Sequence, residues 1–183
     1  MPEPNGLEGG STPEVPTPVR KAVLTSGGIE TRYHRAGHGA PVLLLADSPF
    51  PGASIDRLFE GLAGSFRVIR PEVPETQPGA RADRSAPPVG STWIRELIDG
   101  LGLVSCALVA EGRLSHPATW LAFSDTSRVS HLALLVADLL DPADSATSHS
   151  DLLAGSGRPV LLFRSDPDLE RLVAFLRALP HTD

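Results

Sequence analysis

The sequence predicts an α/β domain: a three-layer sandwich with a mostly parallel central sheet and an N-terminal antiparallel hairpin. The short runs PVLLLAD, VSCALVA, HLALLVAD and RPVLLF are apolar throughout, as in strands covered on both faces. Segments with helical spacing lie between them, and strands alternating with helices build a parallel sheet. Near the N-terminus, two alternating runs flank Gly27-Gly28, the signal of a hairpin with a tight turn.

Residues 1–18 are rich in Pro, Gly and Glu with almost no apolar periodicity. Such a segment buries too little surface to offset its ordering entropy, so a disordered tail is expected ahead of a single domain over 19–183. VRKAVLTSGGIETRYHRAG forms the hairpin and PVLLLAD the first buried strand. In SIDRLFEGLAGSF, Ile55, Leu58, Phe59 and Leu62 recur on one helical face. FRVIRPE is another strand, followed by a Pro- and Arg-rich loop from Val73 to Val89. STWIRELIDGLGL opens with a Ser/Thr cap, carries Trp93, Ile94, Leu97 and Ile98 on one face and ends at Gly100. The strand VSCALVA, the Pro-opened helix HPATWLAFS and the strand HLALLVAD follow. After a polar stretch, RPVLLF is the last strand and DLERLVAFLRAL the last helix.

A chain of 183 residues can bury one sizeable core. Its 41% hydrophobic and 21% charged content are those of a globular protein. The net charge of −6 argues against nucleic acid as a partner, which needs a basic face. Cys106 is the only cysteine, so an internal disulfide and a thiolate metal cluster are both excluded. The N-terminus has no secretion signal and no apolar stretch reaches the roughly 18 residues of a membrane span, so a cytoplasmic location without a membrane partner is expected. No glycine-rich phosphate loop, dinucleotide fingerprint, His-x-x-x-His or Asp-x-Asp spacing is present, and neither cofactor nor metal is expected.

Taken in order, these segments resemble the α/β-hydrolase family over about residues 19–179. GIETRYHRAGHGAPVLLL is similar to the family's opening hairpin and third strand, SFRVIRPE to its fourth strand, and IRELIDGLGLVSCALVA to the helix and strand that lead to its nucleophile elbow. That elbow reads G-x-S-x-G. In register, Ala110 to Leu114 occupy its five positions and the nucleophile position falls on Gly112, which has no group to attack with. The resemblance also implies an acid before the last strand and a His loop after it; here RPVLLFRSDPDLE runs almost directly into the closing helix, as if the eighth strand and its loop were deleted. Only His181 follows, in the terminus, and Asp138 to Pro159 is too short and polar for the family's cap. Ser115 is read as a helix cap and Cys106 as a buried small residue; His34 and His38 are read as surface residues, His131 as structural and His149 as part of a Ser-rich loop.

Ligands of open parallel sheets bind outside the carboxyl ends of the strands. The strands end here in Asp47, Glu72, Glu111, Asp138 and Asp166 with Asp168, an acidic rim. Asp47, Glu111 and Asp138 are the candidates for acid/base chemistry, because crowded carboxylates raise one another's pKa values. Ser48, Phe50, Gly112 and Arg113 are the candidates for binding substrate, whereas Trp120, spaced with Thr119 and Phe123, reads as core. The competing reading is that these carboxylates cap helices. Three functions stay open: a non-hydrolytic protein for a small, largely apolar molecule, such as an isomerase, cyclase or epimerase of specialised metabolism; an inert interaction or scaffold subunit; and a residual ester or thioester hydrolase using Ser115 or Ser48. The partners expected are a small-molecule ligand and either a second copy of the chain or a partner enzyme.

Overall fold

The alternating runs beside Gly28 form β1 (Arg20–Ser26) and β2 (Ile29–Ala36), paired antiparallel from Ser26↔Ile29 to Arg20↔Arg35. Gly28 makes the turn at φ 79, a region that glycine enters at no steric cost. The computed structural model describes residues 18–26, 28–46, 53–73, 90–135, 160–163 and 167–178. The expected tail up to residue 17 lies outside them, as do His149 and His181.

Five further strands are parallel to one another: β3 (Pro41–Leu45), β4 (Arg67–Pro71), β5 (Cys106–Glu111), β6 (Val129–Leu135) and β7 (Val160–Phe163). With β2 antiparallel to β4, the order is β1-β2-β4-β3-β5-β6-β7. The chain therefore steps one way from β3 to β4, then crosses back to β5 and β6. Right-handed crossovers travelled in opposite directions put their helices on opposite faces. Accordingly α1 (Ala53–Ala63) lies on one face with the C-terminal α4 (Leu169–Arg177), while α2 (Ser91–Gly100) and α3 (Ser115–Ser124) cover the other. Val42, Leu44 and Val109 pack toward α1 and α4; Leu43, Leu45 and Leu108 pack toward α2 and α3. Because both faces are covered, the strands read as continuous apolar runs. Among the described residues β7 ends the sheet, with Leu162 40% exposed.

Two local expectations are corrected. The Ser/Thr cap of α2 is not used: Gly90 is the N-cap at φ 101, and Ser91 already lies buried inside the helix. Gly100 is the last residue of α2, as expected. The helix closes through Gly102 at φ 66, where the Leu103 N–H donates to the Ile98 carbonyl and the Gly102 N–H to the Asp99 carbonyl. Gly100 also allows close approach to β1, since a Cβ there would stand 2.9 Å from Leu24. His34 is half-buried rather than a free surface residue, with its Nδ1 3.1 Å from an Arg70 nitrogen. Arg70 in turn donates to Asp56 at 2.6 Å and lies over the Phe59 ring, fastening the first turn of α1 to β4 and β2. On the opposite face, Trp93 Nε1 donates to Thr31 Oγ1 at 3.0 Å, joining α2 to β2. His131 is structural as expected, buried in β6 and edge-on to Phe175. No helix among the described residues is long and apolar enough to cross a membrane.

Candidate functional site at the carboxyl edge

β3 and β5 are neighbours whose onward connections leave in opposite directions, the switch point at which open parallel sheets bind ligands in a crevice outside the carboxyl ends of their strands. Leu45 is level with Ala110, and Glu111 with Leu135, so β3, β5 and β6 end side by side.

Glu111 closes β5 in an extended conformation, φ −124 and ψ 150, and is half-buried. At Gly112 the chain turns left-handed, φ 59, and enters a 3₁₀ turn, Gly112–Leu114, that runs straight into α3. An L-residue in that conformation costs about 1–2 kcal/mol. Glycine holds the turn without that strain, and without a side chain. Leu114, buried, anchors the turn in the α2 and α3 side of the core, while Arg113 points to solvent. The turn is a nucleophile elbow in backbone shape and offers a helix N-terminus at the crevice, yet it carries no nucleophile.

Of the residues singled out from sequence, Glu111, Gly112 and Arg113 are thus brought to one edge. Glu111 and Arg113 are each engaged in polar or electrostatic contacts. Asp47, Ser48 and Phe50, which follow β3, and Asp138, which follows β6, lie outside the described residues, as does Asp166. Two other members of the expected rim have different settings. Asp168 caps α4, its carboxylate accepting the Arg171 N–H at 3.2 Å. Glu72 is exposed beyond β4, its N–H donating to the Arg32 carbonyl. Among the described residues no three His, Cys, Asp or Glu side chains group as a metal site.

Of the substitute nucleophiles, Ser115 and Cys106 lie among the described residues and Ser48 does not. Ser115 is not the cap expected of it: Leu114 is the N-cap, and Ser115 is the first residue of α3, 9% exposed. Burial pushes the Cys106 thiol up to about 12, leaving no thiolate near neutral pH. Trp120, read as core, is only half-buried and lies outside both core clusters, unlike its neighbours Thr119 and Leu121, which are fully buried. Sequence reasoning missed the Asp56, Arg70 and His34 chain altogether. Its members are 14 and 36 residues apart, and no local pattern joins them.

No protein-family model matches this chain, and no curated protein matches it. Solved structures do. The chain is similar to an epoxide hydrolase from Vigna radiata, with 20% identity and a TM-score of 0.54 over 64% of this chain and 40% of that one. Epoxide hydrolase CorEH, solved without ligand, is matched at 22% identity and a TM-score of 0.54, again over 64% of this chain and 42% of that one. The chain thus spans about two fifths of the length of either enzyme. A CIB-like hydrolase from Thermoplasma acidophilum is matched over its whole length, 100%, and over 89% of this chain, with a TM-score of 0.64 at 12% identity. What they share with this chain is the sheet and the helices packed on it, and the chain adopts the α/β-hydrolase fold.

Proposed function

We propose that this is a non-hydrolytic α/β-hydrolase-fold protein that binds a small, largely apolar molecule at the carboxyl edge and carries out an acid/base step on it. The observation behind this reading is Gly112 at φ 59: where the fold presents its nucleophile, this chain presents none. Without covalent attack, proton transfer is the chemistry left to an acidic crevice. Among Asp47, Glu111 and Asp138, one carboxylate removes a proton from the substrate and another returns one elsewhere, giving an isomerisation, cyclisation or epimerisation. Crowding and partial desolvation raise carboxylate pKa values, which lets one member stay protonated as the acid. Ser48, Phe50 and Arg113 line the substrate, and Gly112 leaves room for it against the elbow. A step in specialised metabolism fits such chemistry.

The test is a comparative small-molecule profile of the source organism with and without the gene, followed by complementation with Asp47→Asn, Glu111→Gln and Asp138→Asn. The proposal expects an accumulating intermediate with the mass of the lost product, and variants that fold but fail to complement. A mass difference of one water, or full complementation by all three variants, contradicts it. A second reading, an interaction subunit, is favoured by β7, which ends the described sheet with Leu162 exposed. Light scattering that finds a dimer, together with an unchanged small-molecule profile, would favour that reading.

A further inference from the structure

A cleft of about 470 Å³ opens at the opposite end of the sheet, lined by Arg20, Arg35 and Arg67 with His38 and the loop glycines Gly37 and Gly39. That volume suits a small molecule, the usual range being roughly 300–1,000 Å³. Strand alternation puts the three arginines on one face of three adjacent strands. Arg20 stands directly opposite Arg35, Arg35 opposite Ile69, and Arg67 lies two residues before Ile69 on the same strand. Like charges directly opposite each other destabilise a sheet. Arg32, Arg70, Arg95 and Arg128 each meet a carboxylate. Arg20, Arg35 and Arg67 have no carboxylate partner among the described residues, and Arg67 Nε is buried with no hydrogen-bond partner. Among the described residues no acidic side chain lines the cleft, although the chain as a whole carries a net charge of −6.

We propose that this cleft binds the phosphoryl group of a small anionic ligand, at a site separate from the carboxyl edge and independent of the function proposed there. A guanidinium presents paired N–H donors that match two phosphate oxygens, and three of them neutralise a multiply charged group. The ligand supplies an acceptor for Arg67 Nε and relieves the repulsion between Arg20 and Arg35. Gly37, at φ 74, packs its backbone against the Phe66 and Ala63 carbonyls and so fixes one wall of the cleft.

Isothermal titration of the full chain at constant ionic strength in chloride buffer tests this with three probes: inorganic phosphate, pyrophosphate and glycerol phosphate. The proposal expects saturable one-to-one binding of at least one probe. Binding weakens about tenfold or more in Arg35→Met and in Arg67→Met, and is unchanged in Arg95→Met. Arg35 is exposed, so its variant decides the matter if Arg67→Met fails to fold. Tighter pyrophosphate identifies a free diphosphate, and tighter glycerol phosphate an organic phosphoester. Absence of saturable binding by all three probes, or binding unchanged in a natively folded Arg35→Met, overturns the proposal.

Discussion

Gly37→Ala is the most informative single change to the scaffold. Its φ of 74 costs an alanine about 1–2 kcal/mol. The added Cβ would stand 2.1 Å from the Phe66 carbonyl oxygen and 2.4 Å from that of Ala63. Both are backbone atoms, so no side-chain rotation relieves the clash. The segment they belong to is held by the Phe66 N–H to Leu62 at 2.9 Å and the Arg67 N–H to Ala40 at 3.0 Å. Overpacking of this kind adds about 1–3 kcal/mol, for a total of about 2–5 kcal/mol. Gly102→Ala is the matched control: its φ is 66, but nothing lies within 4 Å of its Cβ position, so only the conformational cost of about 1–2 kcal/mol applies. Urea unfolding measures both, and the effect is read as a fall in midpoint at unchanged slope. If Gly37→Ala costs no more than Gly102→Ala, the packing argument is wrong.

Other outcomes follow from single contacts. Trp93→Phe strands the buried Thr31 hydroxyl and costs about 1–3 kcal/mol, of which adding Thr31→Val recovers part; equal cost with and without the second change would refute the hydrogen-bond account. Leu172, fully buried between α4 and the sheet, loses about 2–5 kcal/mol on truncation to alanine in the same unfolding assay. Burial, then Arg70 and Lys21, hold the His34 pKa below its ordinary 6.5. Its unfolded form therefore takes up a proton first as pH falls, so stability is full above pH 6.5 and declines below it. His34→Gln should flatten that part of the profile. Cys106, with its thiol pushed up to about 12, should react with iodoacetamide at mildly alkaline pH only as fast as the chain unfolds.

The sequence was readable wherever one local pattern decides the structure. Apolar runs such as PVLLL marked strands buried on both faces, and the spacing of Ile55, Leu58, Phe59 and Leu62 marked the buried stripe of α1. Gly112 was legible because the register of a whole strand-turn-helix unit pointed to one position. The caps were not: Ser91 and Ser115 have the chemistry of caps, but each is drawn inside its helix, where both are buried. Gly100 was legible as the end of α2, but the left-handed closing turn at Gly102, φ 66, and the close approach of Leu24 to Gly100 were not. The Arg20, Arg35 and Arg67 cleft was hidden for a related reason: its residues lie on three strands, and their meeting depends on strand order and register rather than spacing.

The central claim is that the elbow at Gly112 presents no nucleophile and that no nearby residue replaces it. Intact-mass spectrometry of the folded chain after incubation with a fluorophosphonate tests this directly. The account predicts an unchanged mass after a long exposure at neutral pH. A stoichiometric adduct that disappears on denaturing the chain beforehand, mapped to Ser48 or Ser115, would contradict it and make the protein a hydrolase with a displaced nucleophile.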